Sequence, residues 1–414
     1  MTLAWPSRDR LSVWCGGCLL AALLLMPVLG WVGPLGFAPI VGVAGALCLP
    51  VLTVREADRP VYIAGIMMLI WAVGSTVWSP YHHDLWGSPA LKLVAEAVFY
   101  FAFVCAARRA EPGMRERALL VFAWGLPILG LAIFAEAVTA AQGYRTLRAM
   151  LGEPLRPDLA AKNVAQGLFV LALLWPLAAV AAQRTGAALW LTAPTLAGLI
   201  GGSVAFGYDA PILALAVAGI VGAAVWLWPV VAPRVLAGLT AAFFMLMPLA
   251  VWILQTTGVL DTLRRVLPPS WSQRLGYWSH AIGWLGDHPL RGWGLEASRM
   301  FSPGIQLHPH DSALQLWMEL GLIGAVAASV IWASVLARLS NPERDAARAA
   351  AAASAMAYVV IGGVSFGVWQ EWWLALAGLA AACAAALIRQ PVVRSDVRKA
   401  DAVRKPSTLA LFSE

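Results

Sequence analysis

Apolar runs long enough to cross a bilayer recur along this chain, separated by short polar intervals. A helix needs about 20 apolar residues to span the hydrocarbon core. About twelve segments approach that length: 11–29, 34–53, 61–78, 89–107, 118–140, 163–182, 187–205, 209–229, 235–254, 311–338, 350–369 and 372–389. The pattern predicts an all-α polytopic membrane protein with about 12 transmembrane helices. Two places are irregular: 187–209 holds several glycines, which can break a helix, and 370–373 leaves a very tight turn. The longest interior polar interval, 255–310, falls before the tenth segment and predicts one long loop. Residues 391–414 are short, basic and poorly hydrophobic, and predict a disordered cytoplasmic tail that touches anionic lipid.

Composition agrees. The 414 residues are 60% hydrophobic and 12% charged, with mean hydropathy +0.74, against about 25% charged residues in soluble domains. The net charge of +7 fits basic loops facing the cytoplasm. With no basic-aromatic module, it does not point to nucleic acid. Cys15, Cys18, Cys48, Cys105 and Cys383 all sit in apolar runs, the placement of small buried hydrophobes rather than a disulfide framework. Cys15 and Cys18 form a CxxC, but no second ligand pair accompanies it. Arg8 and Arg10 followed by an apolar run look like a signal peptide; without a small-x-small cleavage site, the run predicts a retained first helix.

Loop charges set an orientation. If the N-terminus is inside, the inner loops hold Arg55 and Arg59, Arg108 to Arg117, Arg184, Arg234, and Arg338 to Arg348. The short outer loops 30–33, 79–88, 206–208 and 370–371 hold no Lys or Arg. That is the positive-inside pattern with both termini cytoplasmic. Two outer loops break it: 141–162, with Arg145, Arg148, Arg156 and Lys162, and 255–310, with Arg264, Arg265, Arg274, Arg291 and Arg299. An anionic ligand would explain them; so would the weak charge bias of long loops.

Ionisable groups within spans are costly and usually functional or paired. Glu96, Glu136, Asp209, Glu319 and Glu371 all fall toward the outer ends of their segments, which suggests a polar cavity opening outward. Asp311, Gln315 and Glu319 recur at i, i+4, i+8 below His310, a stripe about 12 Å long on one helix face. Such a stripe can wall a site or hold a bundle together by hydrogen bonds.

The candidate chemistry follows from what the loops contain. There is no Walker A loop, GxSxG or HExxH, and His82, His83 and Asp84 lack a further metal ligand. Arginine is abundant in the outer loops, and His308 and His310 end the longest of them. Arginine makes bidentate, permanently charged contacts to phosphate, and histidine suits base work near neutral pH. Together they suit departure of a diphosphate while a hydroxyl attacks, without a metal or other cofactor.

His310-Asp311, nine residues, then Gly321-Leu322-Ile323-Gly324 resembles the H-[N/S/Q]-x9-G-x-x-G signature of bacterial O-antigen ligases, within the wider family of surface-glycan ligases and Wzy-type polymerases. SQRLGYWSHAIGWLGDHPLRGWGLEASR is similar to that family's Arg-x-x-x-Trp…His-Pro-Leu-x-Gly-x-Gly segment, with Arg274 and Trp278 on the matching positions. The resemblance covers about 55 residues; outside it only the many-helix plan and one long outer loop correspond. It implies a ligase-like membrane domain over 1–390, with a periplasmic catalytic loop, in the bacterial inner membrane. The implied reaction is inverting, metal-independent transfer of a glycan from undecaprenyl diphosphate to a glycan or lipid A-core acceptor. By resemblance, Arg274 engages the diphosphate and His310 is the base. Arg156 lies in the other basic outer loop, where the family often has a functional arginine. Asp311 replaces the usual Asn, Ser or Gln, and an acidic neighbour would favour protonated histidine. The family's Ser-Arg pair near the seventh or eighth span is absent from GGSVAFGYDAP.

Each candidate also has a plainer reading. Arg291 and Arg299 meet phosphate or merely solvate the loop. Trp278 stacks on sugar or joins an interfacial aromatic belt. Glu319 fixes a partner arginine or buttresses the bundle. Gly321 and Gly324 allow a neighbouring helix close, and His308 is the expected bystander. Ligase and polymerase are not separated by these residues. Protein O-oligosaccharyltransferase is a third possibility. A secondary transporter of about twelve spans is the rival from another class, although no matching broken halves are visible.

Overall fold

The computed structural model describes residues 8–83, 87–184, 186 and 189–388. The tail at 391–414, and Asp84 of the candidate metal run, lie outside the described residues. Within them the chain is all-helical, with no strand. In chain order the helices are α1 (Arg8–Val32), α2 (Phe37–Ala46), α3 (Arg59–Ser75), α4 (Pro89–Arg109), α5 (Pro112–Val138), α6 (Gln142–Met150), α7 (Pro157–Ala165) and α8 (Gly167–Arg184). They continue with α9 (Thr192–Phe206), α10 (Asp209–Leu227), α11 (Val231–Thr256), α12 (Val259–Val266), α13 (Pro269–Leu285), α14 (Ser312–Ala337), α15 (Ala346–Val364) and α16 (Glu371–Leu387).

Nine helical stretches among the described residues are long and apolar enough to cross a membrane. Three more, Pro34–Ala46, Thr192–Phe206 and Glu371–Leu387, are apolar but shorter. These three correspond to the expected segments 34–53, 187–205 and 372–389. The first is cut short where Cys48-Leu49-Pro50 leads into a 3-10 turn and then extended chain. The second starts only at Thr192, after a 3-10 turn. The helix expected over 350–369 runs instead over Ala346–Val364, so the connection to α16 is the non-helical stretch 365–370 and not a minimal turn.

Lipid tails are as apolar as leucine, so close packing and hydrogen bonds hold such helices together. α5 and α9 touch backbone to backbone: a Cβ on Gly130 would lie 2.5 Å from the Pro194 carbonyl, and one on Gly198 only 2.1 Å from the Gly130 carbonyl. α8 is buried in the middle of the bundle, against α5, α9, α15 and α16. α14 packs along α11 and α3, and α10 along α15. The cysteines are free; Cys15, Cys48 and Cys105 share a small buried apolar cluster, as small hydrophobes do.

The long loop is a structured cap. α12 and α13 carry Leu260, Leu275, Tyr277, Ala281 and Leu285, which pack with Phe301 and Ile305 onto Leu314 and Met318 of α14. This separate core fixes the loop on one end of α14.

Candidate functional site

α14 is broken by design of its sequence. Gly321 has φ 64° and ψ −159°, inside an otherwise helical run. That region of backbone space is essentially restricted to glycine. The break frees helical carbonyls, and each finds a donor. Trp293 N–H donates to Met318 O at 2.8 Å and Gly294 N–H to Glu319 O at 2.7 Å. Trp71 Nε1 donates to Leu320 O at 3.0 Å, and Leu322 N–H donates to Pro289 O at 2.9 Å. The His288-Pro289-Leu290-Arg291-Gly292-Trp293-Gly294 segment is therefore stitched into the helix break. Gly321 was expected to admit a neighbouring helix; the close neighbour is this loop, with Leu290 O 2.4 Å from where a Cβ would stand.

The loop's last turns carry the histidines. Leu307 and His310 both have left-handed backbone, φ 64° and 57°, which costs about 1–3 kcal/mol per residue and persists only where surroundings enforce it. At His310 the surroundings are specific. Its Nδ1 lies 2.6 Å from the Ser365 carbonyl oxygen. Its ring stacks on Tyr277, centroids 5.8 Å apart and planes 17° apart. Its backbone N–H donates to His308 Nδ1 at 3.2 Å. A carbonyl only accepts, so Nδ1 carries the proton and Nε2 carries the lone pair. No described residue hydrogen-bonds Nε2. Burial, with help from the Arg274 charge, holds the pKa of His310 below the ordinary histidine value, while the Ser365 bond pulls the other way. The ring is thus kept neutral with a free basic nitrogen.

His308 is different. Its Nδ1 is occupied by the His310 N–H, and Gln370 lies 3.4 Å from its Nε2. Burial, then the charges of His310 and Arg299, push its pKa down to about 3. It stays neutral and shapes the turn that presents His310.

Arg274 stands on α13, half-buried, its guanidinium 5.1 Å over the Trp271 ring. Asp209, at the start of α10, influences it through space, but that carboxylate accepts from Trp271 Nε1 at 3.1 Å. Among the described residues no carboxylate forms an ion pair with Arg274. Burial lowers its pKa, Asp209 and Tyr208 opposing. A desolvated, unpaired guanidinium therefore sits close enough to His310 to bias its titration.

Other candidates fare less well. Glu319 is completely buried and accepts from Ser298 Oγ (2.6 Å), Gln315 Nε2 (3.0 Å), Trp369 Nε1 (2.5 Å) and Glu296 N–H (2.8 Å). Four donors leave it no room for substrate; it ties the loop, α14 and the 365–370 turn together. Gln315 does the same through Val368 N–H at 2.9 Å, so the stripe is bundle glue rather than a cavity wall. Trp278 Nε1 donates to Pro309 O at 3.1 Å, holding α13 against the histidine turn. Arg156 is exposed and clasps Asp158 with two contacts, 3.2 and 2.7 Å, and no contact joins it to Arg274 or His310. Arg291 lies 5.7 Å over Trp78. Arg299 pairs with Glu296 at 3.1 Å and lies 5.6 Å over Tyr81.

Asp311 corrects another expectation. Its carboxylate caps α14, accepting from Leu314 N–H at 2.7 Å, and does not touch His310. Burial pushes its carboxyl up to about 7, against the pull of the Leu314 and Ala313 N–H groups. An asparagine caps a helix about as well as aspartate. Asp311→Asn should therefore keep activity within about twofold and leave the acid limb of the pH–rate profile in place, because burial and Arg274 set that limb. A shift of the limb to lower pH in the variant would show that Asp311 does charge His310.

Of the five acidic residues expected to line an outward cavity, Glu96 and Glu371 meet one, and Glu136, Asp209 and Glu319 do not. A cavity of about 530 Å³ beside the 365–370 turn is lined by Tyr81, Lys92, Glu96, Glu296, Arg299 and Glu371, among others. Lys92 and Glu371 pair across it at 3.2 Å. Glu136 is apart from it, accepting from Trp31 Nε1 at 3.0 Å. Among the described residues no group of His, Cys, Asp and Glu has the arrangement of a metal site. Two participants were invisible in the sequence: Tyr277, which stacks on His310, and Ser365, whose contribution is a carbonyl that any residue type would supply.

Residues 194–329 match the family described as O-antigen ligase. Over that segment the chain is similar to the O-antigen ligase family. The matched segment contains Arg274, His310 and the Gly321 break. The chain is also similar to proteins named "Putative polysaccharide ligase" in three rickettsiae. Identity is 30% over 120 residues in Rickettsia conorii, covering 26% of this chain and 29% of the relative. It is 28% over 120 residues in Rickettsia prowazekii and 32% over 123 residues in Rickettsia bellii, each covering 26% of this chain and 30% of the relative. The chain thus matches less than a third of the length of these relatives. No solved structure matches it.

Proposed function

We propose that this protein transfers a glycan from undecaprenyl diphosphate to an acceptor hydroxyl at the periplasmic face of the inner membrane. The observation that carries the reading is the pairing of a half-buried arginine without an ion pair and a neutral histidine with a free Nε2. His310 Nε2 takes the proton of the acceptor hydroxyl as its oxygen bonds to the anomeric carbon. The bond from that carbon to the diphosphate oxygen breaks, and Arg274 receives the charge on the leaving diphosphate. Attack opposite the leaving group inverts the anomeric centre. The acceptor is a further glycan or a lipid A-core. The polyprenyl chain stays in the bilayer and its diphosphate at the surface, the level at which His310 ends the loop above α14.

The test is transfer by purified, reconstituted protein given a lipid-diphosphate donor, several acceptors and no ion gradient. Absence of transfer with every acceptor, together with gradient-driven flux, would instead favour a transporter. Transfer should survive EDTA; loss restored by Mg²⁺ would overturn the metal-free route. Arg274→Lys keeps the charge but not the bidentate fork, so turnover should fall about tenfold or more while the acid limb stays put. Arg274→Gln removes the charge that lowers the His310 pKa, so the acid limb should move to higher pH. Near-normal turnover in both variants would remove Arg274 from the reaction.

A further inference from the structure

At the end of α14 opposite His310 lies a second cavity, of about 600 Å³, enclosed by α3, α4, α8, α14, α15 and α16. The two ends are about 39 Å apart if the 26 residues of α14 rise 1.5 Å each. The volume is within the roughly 300–1,000 Å³ of small-molecule sites. Its walls are apolar and built from small residues, Ala355, Ala381 and Ala384 among them, with Trp332 on the α14 side. Its rim holds four arginines, Arg55, Arg108, Arg338 and Arg348.

The charge at that rim is not balanced. Asp58, almost wholly buried, takes Arg108 on one oxygen at 2.9 Å and Arg338 on the other. Arg348 pairs with Asp345 through Nε at 3.5 Å, without a hydrogen bond, and donates through Nη1 to the Arg338 carbonyl. Arg55 makes no ion pair among the described residues. Four guanidiniums therefore face two carboxylates. Burial lowers the pKa of Arg55, with Arg108 adding to the shift, and that of Arg338, with Arg55 and Arg348 adding. The cluster is thus a crowded set of cations with fewer anions than it has guanidiniums.

We infer that this cavity binds a membrane lipid with an anionic phosphate headgroup, the phosphate against Arg55 and Arg348 and an acyl chain along the alanine wall. Arginine suits phosphate by its planar fork, and the apolar wall suits a hydrocarbon chain and not a soluble anion. The chain's own segment beyond Ile388 has the wrong sign to fill the rim, with six basic residues against three acidic ones. The site is remote from the proposed glycan transfer and independent of it.

Native mass spectrometry of the detergent-purified full chain tests this, with phosphatidylglycerol, phosphatidylcholine or inorganic phosphate added. One phosphatidylglycerol should be retained per chain, and phosphatidylcholine at most about a tenth as well. Arg55→Gln should lower phosphatidylglycerol occupancy about tenfold. Ala381→Trp, at an exposed wall position, should block the chain groove and abolish retention. Thermal unfolding of both variants in the same detergent should match wild type; if Arg55→Gln unfolds early, Ala381→Trp decides alone. Equal retention of the two lipids, unchanged occupancy in Arg55→Gln or Ala381→Trp, or displacement by millimolar phosphate would each overturn the inference.

Discussion

His310→Ala should lower turnover about 10²–10⁴-fold, the range a general base contributes, while binding of the lipid-diphosphate donor stays near wild type. The expectation rests on the tautomer. Nδ1–H is committed to the Ser365 carbonyl at 2.6 Å, so the free Nε2 is the only basic atom on the ring. Burial and Arg274 keep the ring neutral, and a lowered pKa means the base form persists below the ordinary histidine range of about 6.5. The acid limb of wild-type turnover should therefore lie below that pH and vanish in His310→Ala. His308→Ala should cost far less through chemistry, since both its nitrogens are engaged within the turn. Steady-state kinetics on folded protein, with donor binding measured separately, distinguishes the two. Wild-type turnover in His310→Ala would remove the base mechanism and leave leaving-group stabilisation to carry the reaction.

Gly321→Ala should strongly destabilise the protein, because strain and a backbone clash coincide there. The backbone there is left-handed in φ and extended in ψ, and an added Cβ would lie 2.4 Å from the Leu290 carbonyl oxygen and 2.6 Å from the Gly292 nitrogen. Strain of about 1–3 kcal/mol adds to a clash between two backbones that cannot turn aside, so a loss beyond about 4 kcal/mol is expected. The loop would leave the break, and the carbonyls of Met318 and Glu319 would lose their donors, Trp293 N–H and Gly294 N–H. Gly283→Ala on α13 is the matched control: its Cβ meets nothing within 4 Å, and alanine is favoured over glycine in a helix by about 0.5–1 kcal/mol. Thermal unfolding in detergent should separate the pair clearly, with transfer lost only in Gly321→Ala. Equal unfolding temperatures would mean that the loop is not stitched into α14.

The sequence by itself determined the parts of this protein that are one-dimensional. The apolar runs are read directly because a bilayer demands a minimum length of contiguous apolar residues; nine helical stretches among the described residues meet that length and three more are apolar but shorter. The long loop, and the Arg274, His310 and glycine positions within it, stood out because their residue types and spacing are local. Tertiary structure decided how those residues are used. Glu319 and Gln315 were legible as a polar stripe, yet their direction depends on Ser298, Trp369 and Val368, which come from other elements. Asp311 stands beside His310 in sequence but turns to the helix end, because unpaired N–H groups there bind a carboxylate. Arg156 found Asp158, a surface partner two residues away. The tautomer of His310 rests on a carbonyl 55 residues distant, and a backbone carbonyl leaves no mark in the identity of the residue that bears it.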